Sequence, residues 1–139
     1  MLKDIEQNEV KNIAVAAIFE LNPETAVMVW NVYLINYSTE KLEGVIVSSH
    51  GWGMINGEEK KTSLLRHFLK EVEPLSYVKI EPIQEDVFGL NSQYWFSAFI
   101  NGQMIDHKFI FKANQINEEN TELISLINQK GIIIYSDNN

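Results

Sequence analysis

Cysteine is absent from the 139 residues, so a disulfide framework, a thiolate metal site and a cysteine nucleophile are all unavailable to this chain. Arginine is nearly absent. Arg66 is the only one, and 11 Lys and Arg together stand against 19 Asp and Glu, giving a formal net charge of −8. Binding to nucleic acid depends chiefly on Lys and Arg neutralising phosphates, and no basic stripe runs along the sequence, so nucleic acid is not an expected partner. Long apolar runs are missing too. Ile13–Phe19 and Ala26–Trp30 fall far short of the roughly 20 residues that a membrane-spanning helix needs, so no membrane association is expected. Residues 1–10 hold three acids and no apolar stretch of the kind a secretory signal carries, which leads to the expectation of a soluble cytoplasmic protein.

What is present is an ordinary globular composition, 45% hydrophobic and 22% charged, of a length that suits one core. Repeats and low-complexity tracts are lacking, and the compositional breaks are short turn clusters, so residues 1–139 read as one domain. Residues 1–10 form an N-terminal extension to it. In NIAVAAIFELN from Asn12, the residues Ile13, Val15, Ala17, Phe19 and Leu21 share one face at a period of two, which predicts a strand covered on one side. After the turn at Asn22-Pro23-Glu24-Thr25, AVMVWNVYLINYS is apolar on both alternating faces and predicts a central strand. GVIVSSH predicts a third strand, running into a glycine-bearing loop over Gly51–Gly57.

Residues 62–72 (TSLLRHFLKEV) fit a helical face as well as a strand. Pro74 closes the segment after eleven residues, no capping box opens it, and both neighbours read as strands, so a strand is expected. Ser76–Ile83 alternates, with Val78 and Ile80 inward and Lys79 and Glu81 outward, and residues 85–90 predict one helical turn. The dipeptide Asn101-Gly102 between QYWFSAFI and QMIDHKFIFK is the signature of a two-residue type I′ hairpin, because both positions need positive φ. That turn sets Ile100 opposite Gln103. It places Tyr94, Phe96, Ala98, Ile105, His107, Phe109 and Phe111 on one face, with Trp95, Ser97, Phe99, Met104, Asp106 and Lys108 on the other. Over 113–139 the sequence predicts a short helix capped by Asn120 and ended by Gly131, then a closing strand at 132–135.

About seven strands, one or two short helices near the C-terminus and no βαβ alternation amount to an antiparallel β-sandwich, immunoglobulin-like in architecture. The run VWNVYLINYSTEKLEGVIVSSHGWG, with the strands around the Glu73-Pro74 break, resembles uncharacterised bacterial immunoglobulin-like β-sandwich domains, including those that accompany Smr-type nuclease domains. The resemblance covers about residues 28–83. It implies an accessory or interaction domain rather than the nuclease, and no functional residue carries over from it.

Chemistry has few candidates. The histidines His50, His67 and His107 lack any metal-ligand spacing, so no metal site and no cofactor are expected. No nucleophile elbow or phosphate-binding loop occurs, and Ser49 and His50, being adjacent on a strand, point to opposite faces. No catalytic residue is assigned. Burial among Phe96, Ile105 and Phe109 would make His107 a core residue, and Trp30 on the central strand is the expected inter-sheet tryptophan. Trp95 lies opposite Lys108, a cation–π arrangement. Trp52 and Met54, with His50, sit in the glycine-rich loop, where they either plug one end of the sandwich or project to a partner.

The residues expected to bind a ligand or partner are therefore His50, Trp52, Met54, Trp95 and Asp106. The leading reading is a non-enzymatic interaction or accessory module whose partner is another protein or a second copy. A small-ligand or glycan-binding domain using loop aromatics is the alternative. An enzyme using His50, His67 and His107 is the third.

Overall fold

The computed structural model describes residues 10–137. Ten antiparallel strands form two five-stranded sheets that face each other. The first sheet contains β1 (Ile13–Asn22), β2 (Val27–Asn36), β6 (Ser76–Ile83), β9 (Glu122–Ile124) and β10 (Gln129–Tyr135), in the spatial order β6-β2-β1-β10-β9. The second contains β3 (Leu42–Ile55), β4 (Glu58–Lys61), β5 (Leu65–Val72), β7 (Asn91–Ile100) and β8 (Gln103–Phe111). There β7 and β8 lie on one side of β3, while β5 and β4 share its other side, β5 against Leu42–Ser49 and β4 against Trp52–Ile55. The architecture is the expected mainly-β, sandwich-like one, with ten strands where the sequence predicted about seven. All of the expected N-terminal extension except Val10 lies outside the described residues.

The core between the sheets comes from the inward positions of both, among them Val15, Ala17, Val32, Leu34, Val47, Phe96 and Phe109. Trp30 is the tryptophan between the sheets, packed on Phe19 at 4.8 Å and edge-on to Phe88 at 5.7 Å. The segment expected as a strand over 62–72 forms the strand β5 from Leu65 on, residues 62–64 being irregular, and a single 3-10 turn at Glu85–Val87 fills the expected helical turn. The Asn101-Gly102 hairpin forms in the expected register, Ile100 opposite Gln103, with φ of 51° and 79° at the two turn residues. Asn36, fully buried at the end of β2, donates Nδ2–H to the carbonyls of Glu40, Val72 and Glu73 and ties the two sheets at a crossing.

Four expectations are corrected. The loop over Gly51–Gly57 is the end of β3, which runs on to Ile55 and turns through Asn56-Gly57 (φ 53° and 80°) into β4. This is a second Asn-Gly turn of the same type. The C-terminal helix does not form among the described residues: Asn117 caps a 3-10 turn at Glu118–Asn120, and Thr121 returns to extended backbone ahead of the β9–β10 hairpin. Ile124 and Ile127, three apart, suit a helix face, yet here they bracket a tight turn in which Ile127 donates its N–H to the Ile124 carbonyl. Both side chains close over Ala14, Ala16 and Ile18. β1 is consequently buried on both faces over Ile13–Ile18, rather than covered on one side. Gly131 is a strand residue pressed against β1, where a Cβ would lie 2.4 Å from the Ala17 carbonyl oxygen, not a helix terminator.

The fourth correction concerns Glu81. On β6 the residue Ile80 has no partner on β2, since Val32 pairs with Glu81 while Tyr33 pairs with Lys79. This β-bulge reverses the alternation, so Ile80 and Glu81 both turn inward. Among the described residues no helix is long and apolar enough to cross a membrane.

Candidate functional site

The residues singled out from the sequence meet on one surface. His50, Trp52 and Met54 occupy alternate positions of β3, and the registers put Trp52 opposite Asn91 and His50 opposite Gln93, in line with Trp95 on β7. Asp106 pairs with Ser97 and Lys108 with Trp95. All five lie on the outer face of the second sheet, since their neighbours Ser49, Gly51, Tyr94, Phe96 and Ile105 are the buried, inward ones. The His50 ring stacks on Trp52 at 5.3 Å, leaving Trp52 half-buried, while Met54 is exposed. Lys108 Nζ stands 4.7 Å from the Trp95 ring centroid, the expected cation–π contact.

That same face carries an apolar group, in which Phe68 and Ile110 join the Trp95, Phe99 and Met104 that the hairpin register had set together. Phe68, Trp95, Phe99, Met104 and Ile110 are each between 38% and 63% exposed. Register joins them: Phe68 is opposite Ile46, Ile46 opposite Ser97, and Phe99 opposite Met104. The outer face of the first sheet differs, because its Ala14, Ala16, Ile18 and Ile35 are fully buried beneath Ile124 and Ile127. Among the described residues, the middle of one outer face is covered by the chain itself, with Val27, Tyr77 and Tyr135 still exposed around it, and the other outer face is left bare. The signal for this was legible in the alternation of 95, 97, 99 with 104, 106, 108, but Phe68 depends on the pairing of β5 with β3, which no local pattern announces.

The histidines do not converge. His50 is on the outer face, whereas His67 on β5 and His107 on β8 point inward from opposite sides of the second sheet, separated by three strand spacings, roughly 14 Å. His107 sits opposite Phe96, its ring 4.8 Å from Phe109, but is only half-buried because β8 is an edge strand. No group of three His, Asp or Glu among the described residues is placed to hold a metal ion.

A polar cluster that sequence reasoning missed lies between the sheets where β5 and β6 approach. Turned inward by its bulge, the Glu81 carboxylate accepts hydrogen bonds at Oε1 from Ser49 Oγ (2.9 Å) and His67 Nε2 (2.7 Å), and at Oε2 from the Tyr94 hydroxyl (2.9 Å). A carboxylate only accepts, so Nε2 of His67 carries a proton. Burial, then the charge of Glu81 and its hydrogen bond, hold the Tyr94 phenol far above its usual range. Ser49 bonds to the carboxylate rather than to the imidazole, so this is not a nucleophile activated by a histidine base. The available signal was the spacing of Val78, Ile80 and Ile83, which shifts from two to three and so changes parity at Glu81.

The cluster opens into a cleft of about 220 Å³ bounded by β3, β6 and the 3-10 turn. A wider concavity of about 1120 Å³ lies over the β1–β2 hairpin, and at its edge Glu20 accepts from Asn31 Nδ2 (2.6 Å), the Tyr33 hydroxyl (2.6 Å) and Gln129 Nε2 (3.0 Å). Comparison with protein-family models, with curated proteins and with solved structures found no match for the chain.

Proposed function

We propose that this protein is a non-enzymatic interaction module that associates through the outer face of its second sheet, and that its partner is a second copy of the chain. One observation carries the reading: Phe68, Trp95, Phe99, Met104 and Ile110 form an exposed apolar group on an outer face that no other described segment covers. Isolated exposed apolar residues are normal on a soluble protein, but several aromatic and Met side chains gathered on one face are the composition of an interface centre.

Charge selects the partner. The chain as a whole is at −8, so two copies repel each other wherever acidic surfaces meet. On this face Lys41, Lys61, Arg66 and Lys108 accompany Glu43, Glu59, Glu71 and Asp106, an even balance that lets like copies approach and offers both signs to a twofold-related neighbour. A strongly basic partner would be drawn to the acidic remainder instead.

The immunoglobulin-like description belongs to the same proposal, supported by two antiparallel sheets with Trp30 between them. So does an accessory role of the kind the resemblance to Smr-associated domains implies. Sedimentation velocity over a concentration series tests the association. The wild type should shift from monomer to dimer, and Trp95→Glu should remain monomeric with an unchanged melting temperature, since Trp95 is outside the core. A wild type monomeric up to the high micromolar range rejects the reading.

A further inference from the structure

We propose that the cleft beside Glu81 binds a small organic cation, a primary ammonium group carried on a short apolar body. The site is built rather than incidental, because a bulge on β6 spends one residue, Ile80, to turn a carboxylate into the space between the sheets. There the Glu81 side chain is only 13% exposed. Three donors from three different strands fix its position: Ser49 on β3, Tyr94 on β7 and His67 on β5, whose imidazole forms an ion pair with the carboxylate when protonated. A carboxylate offers about four acceptor positions. Two at Oε1 and one at Oε2 are taken by these bonds, which leaves one at Oε2 for a further donor.

The cleft into which Glu81 is set decides what that donor is. Leu65, Ile83 and Val87 give it largely apolar walls, Asp86 adds a second carboxylate, and neither Lys nor Arg is among the residues that line it. An anionic ligand would meet two carboxylates, against the single imidazole of His50 on the lining. A neutral donor would satisfy the open position, but a charged one gains a charge-assisted bond that is about twice as strong and is screened little in a partly buried place. The volume of about 220 Å³ is below the 300–1,000 Å³ of drug-sized sites, so the ligand is limited to about ten non-hydrogen atoms.

The probe is isobutylammonium, with isobutanol as its neutral counterpart, titrated into the ¹⁵N-labelled full chain and followed by amide NMR. The expected result is saturable shifts centred on Ser49, Leu65, Glu81 and Ser92 with the amine, and affinity for the alcohol lower by about tenfold or more. Glu81→Gln should bring the amine down to the level of the alcohol. Should that variant fail to fold, the wild-type contrast between amine and alcohol decides alone, and Leu65→Trp, at a half-exposed residue on the cleft wall, should weaken the amine by obstruction. Equal binding of amine and alcohol, shifts scattered over the acidic surface, or no saturable shift would each overturn the proposal.

Discussion

Tyr94 shows how a single side chain ties stability to solution conditions. Its hydroxyl is buried against the Glu81 carboxylate, and both burial and that negative charge oppose ionisation, so its folded-state pKa is raised. A raised pKa contributes stability that is fully present below the unfolded value, near 10 for tyrosine, and is lost as pH climbs above it. Stability should therefore fall above pH ~10, by an additional ~1.4 kcal/mol per pH unit from this residue. Urea unfolding at several alkaline pH values checks this. Tyr94→Phe, which has no proton to lose, should show a shallower decline than the wild type; identical slopes would mean that Tyr94 ionises as freely in the folded protein as in the unfolded one.

Gly131 makes the complementary point about space. Its missing side chain lets β10 press on β1, and an added Cβ would fall 2.4 Å from the Ala17 carbonyl oxygen and 2.7 Å from Ile18 Cδ1. The first of these neighbours is backbone in a central strand and has little room to move. Gly131→Ala should cost about 2–3 kcal/mol, at the upper end for overpacking, and a denaturation midpoint close to that of the wild type would show that the strands can part.

At the scale of elements, the Asn101-Gly102 hairpin isolates the cost of backbone conformation. A Cβ at Gly102 meets nothing within 4 Å, yet φ is 79°, so Gly102→Val is strained without any clash. A loss of about 1–3 kcal/mol is expected, and chemical denaturation of the variant measures it. This hairpin was legible because its turn chemistry and its alternation are both local. The same chemistry at Asn56-Gly57 was passed over as a loop, since the exposed EEKK of β4 has no apolar face to mark it as a strand. Residues 62–72 resolved as a strand through pairing with β3, a long-range contact. The C-terminal hairpin was mistaken for a helix for the same reason in reverse: Ile124 and Ile127 have helical spacing, and only the uncovered Ala14, Ala16 and Ile18 of a strand over a hundred residues earlier explain why they form a turn instead.

The candidate surfaces divide along the same line. His50, Trp52, Met54, Trp95 and Asp106 could be assigned to one face from alternation once β3 and β7 were adjacent. Strict alternation turns Glu81 outward, because the bulge breaks the pattern, and the shift from two to three in the spacing of Val78, Ile80 and Ile83 is its one trace in the sequence.

Over the whole molecule, the distribution of cover accounts for the proposed association. Among the described residues, the last hairpin closes over Ala14, Ala16, Ile18 and Ile35 on the outer face of the first sheet, while the outer face of the second keeps Phe68, Trp95, Phe99 and Met104 exposed. The lack of cysteine makes this directly measurable, since any thiol introduced is the only one in the chain. Ser97, on the central rows of the bare face between Ile46 and Asp106, is the reporter position, and Thr25, exposed in the β1–β2 turn, is the control. Under mild oxidation, Ser97→Cys should give a disulfide-linked dimer rapidly at low micromolar concentration, while Thr25→Cys should remain largely monomeric. Equal rates of cross-linking at the two positions, or none at Ser97→Cys, would contradict the account.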